Sequence, residues 1–142
     1  MEFRHLTDDY AVSPQIAPED VAAIKAAGFT TVIDNRPDAE IPPELQTGAM
    51  RAAVEAAGLR FVVNHVVGGA ISDDNVAAQR AAIDAADGPV FAYCASGNRS
   101  SIVWAMSQAG RAPTDTLIAT AARWGYNLEP YRPRIDGFAA GA

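Results

Sequence analysis

Cysteine, histidine and lysine are scarce in this sequence. Its 142 residues include one cysteine, Cys94, and two histidines, His5 and His65. A single cysteine cannot form an intramolecular disulfide or a cysteine-based zinc cluster. A Ser-His-Asp or Cys-His catalytic arrangement would have to use one of the two histidines. Lys25 is the only lysine among 11 basic residues, so anions would be bound mainly by arginine, whose planar fork suits oxyanions.

Neither a long apolar run nor an excess of positive charge is present. No segment approaches the roughly 18 apolar residues of a membrane span, and the N-terminal MEFRHLTDDY lacks the basic and apolar regions of a secretory signal. We therefore expect a cytoplasmic protein without a membrane partner. The net charge of -6 also disfavours nucleic acid as a partner. It permits a small anionic substrate, because a pocket responds to its local field, and it leaves the oligomeric state open.

Segments typical of strands and helices alternate along the chain. With 49% hydrophobic and 20% charged residues, the composition excludes a disordered chain, and the length predicts a single domain over residues 1–142. Helical segments separate the strands, Thr114 is expected to cap the last clear helix, and the tail after about residue 136 is expected to fray. The strands predicted from β-branched and apolar runs are Tyr10–Ser13, Phe29–Asp34, Arg60–Val67 and Val90–Cys94.

This order predicts an α/β fold in which helices flank a mainly parallel central sheet of about four or five strands. In such a sheet, ligands bind at the carboxyl ends of the strands. Three segments with polar residues or glycine pairs follow predicted strands and are expected to meet there: Asp34–Arg36, His65–Gly69 and Cys94–Ser101.

The segment CASGNRSS (Cys94–Ser101) joins a predicted buried strand directly to a helix. Such a turn wraps backbone N–H groups around a point above the helix N-terminus, where an anion can bind. Gly97 allows a close backbone approach, and Arg99 can grip two oxygens of the anion. These groups also favour the thiolate form of Cys94, which becomes a candidate nucleophile. The candidate substrate-binding residues are Ala95, Ser96, Gly97, Asn98 and, from a neighbouring loop, Arg36.

Each of these residues also has a purely structural interpretation. A lone cysteine at the end of an apolar strand is commonly an inert core residue, because a free thiol packs as a small hydrophobe. Glycine, arginine and a hydroxyl at the third, fifth and sixth positions after Cys94 favour the nucleophile. Arg36 either recruits anions or ties its proline-rich loop to a carboxylate. His65 is either a general base or a hydrogen-bonded structural residue.

The Cys94–Ser101 segment resembles two kinds of active loop. It is similar to the loop of single-domain rhodaneses, which also place glycine three and frequently arginine five residues after the cysteine. It also resembles the signature loop of protein tyrosine and dual-specificity phosphatases. Those enzymes separate the two residues by five others, whereas four lie between Cys94 and Arg99. The shorter loop fits a single bound sulfur atom somewhat better than a phosphate.

Five segments spread over nearly the whole chain carry a further resemblance: Val12–Ile16, Asn35–Asp38, Gly68–Ile71, Tyr93–Ser100, and Gly125–Tyr126 with Pro130 and Arg132. Through them the chain resembles a bacterial family of candidate phosphatases, the phosphatase-like domain of beta-lactamase hydrolase-like proteins. The resemblance implies a dual-specificity-phosphatase-like fold, and family members have been described both as phosphatases and as sulfurtransferases.

Phosphatase chemistry is the favoured prediction. Cys94 would attack phosphorus, Arg99 and the loop N–H groups would hold the oxygens, and Ser100 would stabilise the departing thiolate. A general acid would also be needed. Dual-specificity phosphatases place an aspartate about thirty residues before the cysteine, where this chain has Asn64. The remaining candidate acids are Asp34, Asp38, Asp73 and Asp74, of which the last two also suit helix capping.

Two other functions stay open. A rhodanese-like sulfurtransferase would carry a persulfide on Cys94 and would need no general acid. A catalytically silent module would bind an oxyanion in the same turn without turning it over. We expect neither a cofactor nor a metal ion.

Overall fold

Five short strands form one sheet at the centre of the computed structural model, which describes residues 1–141; Ala142, the last residue of the predicted domain, lies outside them. The spatial order is β1-β2-β5-β3-β4. β1 pairs antiparallel with β2, and the other pairs are parallel. The predicted α/β fold with a mainly parallel sheet is therefore confirmed. The strands are β1 (Arg4–Thr7), β2 (Tyr10–Ser13), β3 (Thr31–Asp34), β4 (Arg60–Val63) and β5 (Val90–Tyr93).

Helices cover both faces of the sheet. Because alternate strand residues point to opposite faces, Ile33 packs in the core with the four helices that follow β4, whereas its neighbour Val32 packs with the two helices that precede β4. No helix within residues 1–141 is long and apolar enough to cross a membrane. The helices are α1 (Val21–Ala26), α2 (Thr47–Ala56), α3 (Asp73–Asp84), α4 (Asn98–Ser107), α5 (Thr114–Ala122) and α6 (Arg132–Ala140).

The ends of the chain differ most from the expectations. β1 is not predicted from the sequence, because Leu6 is its one buried residue and it forms no apolar run. The tail expected to fray after about residue 136 forms α6, whose Ile135 is fully buried. Thr114 begins α5 without capping it, since Pro113 holds the N-cap position and the Thr114 hydroxyl donates to Asp136 of α6.

The predicted strand over Arg60–Val67 is shorter in the structure, where β4 ends at Val63. The chain nevertheless continues along the carboxyl edge of the sheet. The Val66 N–H donates to the Asn35 carbonyl at 2.8 Å, and the Asn35 N–H donates to the Tyr93 carbonyl at 2.9 Å. The three segments predicted to meet at this edge are thus held together by their own backbone.

A buried polar network lies beneath this edge, on the face covered by α3 and α4. The Asn35 side-chain amide donates to Gln79 at 2.9 Å and to the Asn64 carbonyl at 2.9 Å. The Gln79 amide donates to the Tyr10 hydroxyl at 2.9 Å, and the Ser100 hydroxyl donates to Asn35 Oδ1 at 2.9 Å. Gln79 is fully buried. Its amide accepts from Asn35 and donates to Tyr10, so it connects the buried groups of the network.

We predict that Gln79→Ala lowers the free energy of unfolding by about 2–4 kcal/mol, because it leaves one buried amide N–H of Asn35 and one of Asn64 unpaired and removes the donor to the Tyr10 hydroxyl. Urea denaturation monitored by circular dichroism measures the change. The matched control is Gln108→Ala, which removes a partly exposed amide with one 3.3 Å bond to Ser107. The control should cost no more than about 0.5 kcal/mol, and equal losses in the two variants would contradict the prediction.

Candidate active site

Cys94 lies at the first position after β5, where the chain turns into α4. Its side chain is fully buried. The Gly97 N–H donates to Cys94 Sγ at 3.1 Å, and the Cys94 N–H donates to the Ser13 carbonyl at 3.3 Å. The sulfur is therefore enclosed by the turn that follows it, and its backbone is tied to β2.

Gly97 gives the turn its shape. Its φ of 95° lies in the left-handed region that favours glycine. A Cβ atom on Gly97 would lie 2.2 Å from the Tyr126 hydroxyl oxygen. That hydroxyl donates to the Ser96 carbonyl at 2.8 Å and accepts from Arg4 Nη1 at 2.7 Å. Tyr126, which follows α5, therefore binds the turn directly, and Arg4 of β1 holds the Tyr126 hydroxyl in place.

The turn also supplies backbone N–H groups that have no partner. The N–H groups of Asn98 and Ser101 donate to Ser96 Oγ and to the Gly97 carbonyl. Apart from these two and the Gly97 N–H, which donates to Cys94 Sγ, the N–H groups of the turn and the first helical turn donate to no acceptor within residues 1–141, as is usual at a helix N-terminus. These unpaired donors are the N–H groups of Ala95, Ser96, Arg99 and Ser100.

Arg99 keeps one edge of its guanidinium open. Nη1 donates to Glu40 Oε2 at 2.8 Å and to the Val66 carbonyl at 2.7 Å, and Nη2 donates to Glu40 Oε1 at 2.7 Å. These bonds use three of the five guanidinium N–H groups. The Nε–H and the second Nη2–H share the remaining edge and have no partner in the described chain. The Glu40 carboxylate raises the pKa of Arg99, burial opposes this, and nearby Cys94 adds to the rise.

Glu40 is a residue of the site that is not predicted from the sequence. It also accepts a hydrogen bond from Arg36 Nε at 3.2 Å, and Arg36 in turn reaches Gln15 at 3.3 Å. The bonds from Arg99 and Arg36 lower the pKa of Glu40, although partial burial opposes the shift. The sequence does contain one sign that Glu40 belongs to the site, since it lies four residues after Arg36 in a loop at the carboxyl edge of the sheet. Arg36 thus orients Glu40 as well as its own loop.

A cleft of about 570 Å³ lies over the Cys94 turn. One wall is the turn itself with Arg99 and Asn98, and the opposite wall is the Gly68–Gly69 pair. Glu40 is the carboxylate in its lining. This volume accommodates a small substrate. The residues of the turn that line it are Ala95, Ser96, Asn98 and Arg99.

The aspartates considered as general acids lie away from this lining. Asp34 is fully buried, and burial raises its pKa although the Arg36 N–H donates to it at 2.9 Å. The Thr47 N–H donates to Asp38 and lowers the pKa of its carboxyl. Two others lie in the first turn of α3, whose N-cap is Ser72: Asp73 pairs with Arg134 at 3.0 Å, and Asp74 is exposed.

Ser100 and His65 both have structural partners. The Ser100 hydroxyl donates to Asn35, so its unpaired group at the turn is its backbone N–H. His65 Nε2 lies 3.0 Å from Thr47 Oγ1 and 3.4 Å from the Asp34 carboxylate. His65 is therefore part of a separate polar cluster on the α2 side of the sheet.

Comparison with known proteins agrees with this architecture. Residues 2–111 match the family described as beta-lactamase hydrolase-like protein, phosphatase-like domain. The chain belongs to this family. A beta-lactamase hydrolase-like protein of Xylella fastidiosa is 28% identical over 97% of this chain. The chain spans 35% of the length of that relative. The resemblance inferred from the sequence is thus confirmed.

Solved structures share the fold. A candidate phosphatase from Neisseria meningitidis has a TM-score of 0.83 at 33% identity, over 97% of this chain and 99% of that one. A variant of P. aeruginosa TpbA in complex with phosphotyrosine has a TM-score of 0.69 at 17% identity, over 98% and 88%. The core domain of the S. cerevisiae PP-IP phosphatase SIW14, in complex with citrate, has a TM-score of 0.70 at 14% identity, over 94% and 83%. The predicted dual-specificity-phosphatase-like fold is confirmed.

We predict that Gly97→Ala destabilises the protein more than Gly28→Ala does. Both glycines have nearly the same left-handed φ, 95° and 96°, so the backbone strain of alanine, about 1–2 kcal/mol, is common to both. A Cβ at position 97 also collides with Tyr126, whereas one at position 28 has nothing within 4 Å. The additional loss at Gly97 should be about 1–3 kcal/mol in urea denaturation. Equal losses would mean that Tyr126 does not restrain the turn.

Proposed function

We propose that this protein is a cysteine-dependent phosphatase-like hydrolase whose nucleophile is Cys94. The observation that carries the proposal is the set of unpaired donors around the Cys94 turn. Four backbone N–H groups and the open edge of Arg99 have no partner in residues 1–141. A phosphoryl group offers three strongly accepting oxygens, and donors fixed before the reaction stabilise the charge that develops on them.

The first step would transfer the phosphoryl group to sulfur. The Cys94 thiolate forms the S–P bond while the bond from phosphorus to the leaving oxygen breaks, and that oxygen keeps the electron pair. The backbone N–H groups and the Nε edge of Arg99 hold the three other oxygens throughout. Because Glu40 and the Val66 carbonyl already orient the guanidinium, little reorganisation is needed when the anion arrives.

The second step would hydrolyse the phosphocysteine. A water oxygen forms a bond to phosphorus, the S–P bond breaks, and its electron pair returns to Sγ as the thiolate. The water supplies the new hydroxyl of inorganic phosphate, and its other proton is released to the solvent. The Gly97 N–H, which donates to Sγ at 3.1 Å, stabilises the departing thiolate. We assign this role to Gly97 because the hydroxyl of Ser100 is engaged by Asn35.

The lining of the cleft restricts the substrates. Glu40 is its carboxylate, and the arginines that lower its pKa keep it ionised, so it is a poor proton donor. The proposed substrates are therefore small phosphorylated anions whose leaving oxygen departs without a proton, such as aryl phosphates or phosphoanhydrides. The phosphotyrosine and citrate complexes of the two fold relatives support a small anionic ligand.

We predict that Cys94→Ser abolishes the hydrolysis of 4-nitrophenyl phosphate and leaves phosphate binding intact. The hydroxyl is a much weaker nucleophile, whereas the surrounding donors are unchanged. Steady-state kinetics and isothermal titration calorimetry measure the two properties. Introducing Arg99→Lys into the Cys94→Ser protein should weaken phosphate binding at least tenfold, because a point charge cannot replace the fork.

The control for that loss is Arg111→Lys, which alters an exposed arginine fork on Asp84 and should leave phosphate binding unchanged. Full hydrolytic activity in Cys94→Ser would refute the proposed nucleophile. The same preparation should be assayed for thiosulfate-to-cyanide sulfur transfer. A cyanide-labile sulfur on Cys94 without phosphatase activity would replace the proposal by sulfur transfer.

We also predict that the rate of hydrolysis depends steeply on the leaving group. Phenyl phosphate, whose leaving oxygen is the more basic, should react at least tenfold more slowly than 4-nitrophenyl phosphate. The ratio of the two rates should be unchanged in single Asp→Asn variants at positions 34, 38, 73 and 74, because none of these carboxylates lines the cleft. A variant that slows phenyl phosphate selectively would identify its aspartate as the general acid.

A further inference from the structure

A second polar cluster lies outside the cleft, where β3 ends and α2 begins. It consists of the carboxylates of Asp34 and Asp38 and the imidazole of His65, whose donor atoms all lie within 4.8 Å of one another. The Asp34 side chain is fully buried, and the His65 side chain is 30% exposed. Two acidic groups and one imidazole thus converge from three different segments of the chain.

Backbone N–H groups donate to both carboxylates, Arg36 N–H to Asp34 and Thr47 N–H to Asp38. Within residues 1–141 no arginine or lysine side chain pairs with either carboxylate, so their negative charge is met by neutral donors and by His65. Thr47 Oγ1 lies 3.0 Å from Asp34 Oδ2, 2.9 Å from Asp38 Oδ1 and 3.0 Å from His65 Nε2. A hydroxyl carries one hydrogen, so it can satisfy only one of the two carboxylate oxygens at a time. The side chain of Arg36, the nearest cation in sequence, is directed to Glu40 and Gln15 instead.

Tyr93 provides an independent sign of a missing ligand. Its side chain is fully buried, and its hydroxyl has no hydrogen-bond partner in residues 1–141. Tyr93 is paired with Asp34 across β5 and β3, so the two side chains share one face of the sheet. Burial raises the pKa of Tyr93, and the charge and hydrogen-bonding influence of the neighbouring Asp34 carboxylate raise it further, with a smaller contribution from Asp38. A buried polar group without a partner commonly marks an absent ion or water.

We propose that Asp34, Asp38 and His65 bind one divalent transition-metal ion, such as Zn²⁺ or Mn²⁺. Carboxylate oxygen and imidazole nitrogen are typical ligands of these ions. Metal–ligand bonds near 2.1 Å require donor atoms within about 4 Å of one another, so the three side chains, now within 4.8 Å of one another, would have to draw together slightly around the ion. The Thr47 hydroxyl lies about 3 Å from all three side chains and would be a further oxygen ligand, and the Tyr93 hydroxyl, on the same face of the sheet as Asp34, would have the bound ion or its water as a partner.

Such an ion would act on the cleft indirectly. It would join the end of β3, the start of α2 and the segment after β4. Asp38 itself lies in the loop of residues 35–46, which also carries Glu40 and Arg36, so the ion would bind this loop directly to the end of β3 and to the segment after β4. Because Glu40 orients Arg99, a metal ion here would stabilise the loop that positions the proposed anion-binding arginine. The site is therefore structural and distinct from the Cys94 turn.

The test is calorimetric titration of the Cys94→Ser protein with Zn²⁺ after removal of metals by a chelator. Cys94→Ser excludes the thiol as a ligand. We expect one ion per chain, and at least tenfold weaker binding in His65→Gln and in Asp38→Asn added to this background. The matched controls are His5→Gln, which alters the other histidine, and Asp73→Asn, which alters an exposed carboxylate. Both should bind Zn²⁺ as before, and Mn²⁺ and Mg²⁺ titrations distinguish a transition-metal site from a general cation site.

A second measurement guards against variants that do not fold. Zn²⁺ should raise the Tm of the chelator-treated Cys94→Ser protein, because an ion that binds only the folded state stabilises it, and it should raise the Tm less when His65→Gln is added. The absence of stoichiometric binding, or binding undiminished in folded His65→Gln, would overturn the proposal. Either result would leave the cluster as a hydrogen-bonded hub around Thr47 and would not touch the assignment of Cys94, which phosphatase kinetics test separately.

Discussion

The left-handed turn at Gly97 is the constraint on which the rest of the site depends. With a φ of 95°, the chain reverses within three residues of Cys94 and returns a backbone N–H to the sulfur. α4 begins at once and is buried from Ser100 to Ser107, so it cannot shift to relieve a change in the turn. Tyr126 and Arg4 close the turn from the opposite ends of the chain. The position of Cys94 is therefore fixed by the core, by a backbone conformation and by two distant residues together.

The alternation of side chains at the end of β3 separates two polar systems. Asn35 faces α3 and α4 and joins the buried amide network with Gln79 and Ser100. Asp34, its neighbour, faces α2 and joins Thr47 and His65. Because the sheet lies between them, the Ser100 hydroxyl is committed to one network and the Asp34 carboxylate to the other. Because side chains alternate between the two faces of a strand, the Ser100 hydroxyl and the Asp34 carboxylate are held on opposite sides of the sheet, and neither lines the cleft.

Local signals in the sequence are sufficient for much of the fold and for the Cys94 turn. β2, β3, β4 and β5 could be predicted because buried parallel strands are rich in apolar and β-branched residues. α6 could not, because its Pro133 and Gly137 are typical of loops, although proline fits the first turn of a helix. The turn could be predicted because all its groups are contiguous. Glu40 could not, since it meets Arg99 across 59 residues of sequence, and such pairings arise only from the folded topology.

Because Glu40 forms an ion pair with Arg99, it could compete with an anionic substrate for the guanidinium. The geometry indicates instead that Glu40 orients the guanidinium and leaves one edge of it free. Glu40 occupies the edge formed by Nη1 and Nη2, the Val66 carbonyl takes the other Nη1–H, and the Nε edge stays open. Arg36 shares the same carboxylate, so the three side chains together keep one positive charge. An arginine already held by three bonds loses little further conformational entropy when an anion binds. The loop of residues 35–46 therefore preorganises Arg99, and the affinity of the proposed anion site should depend on how stable this loop is.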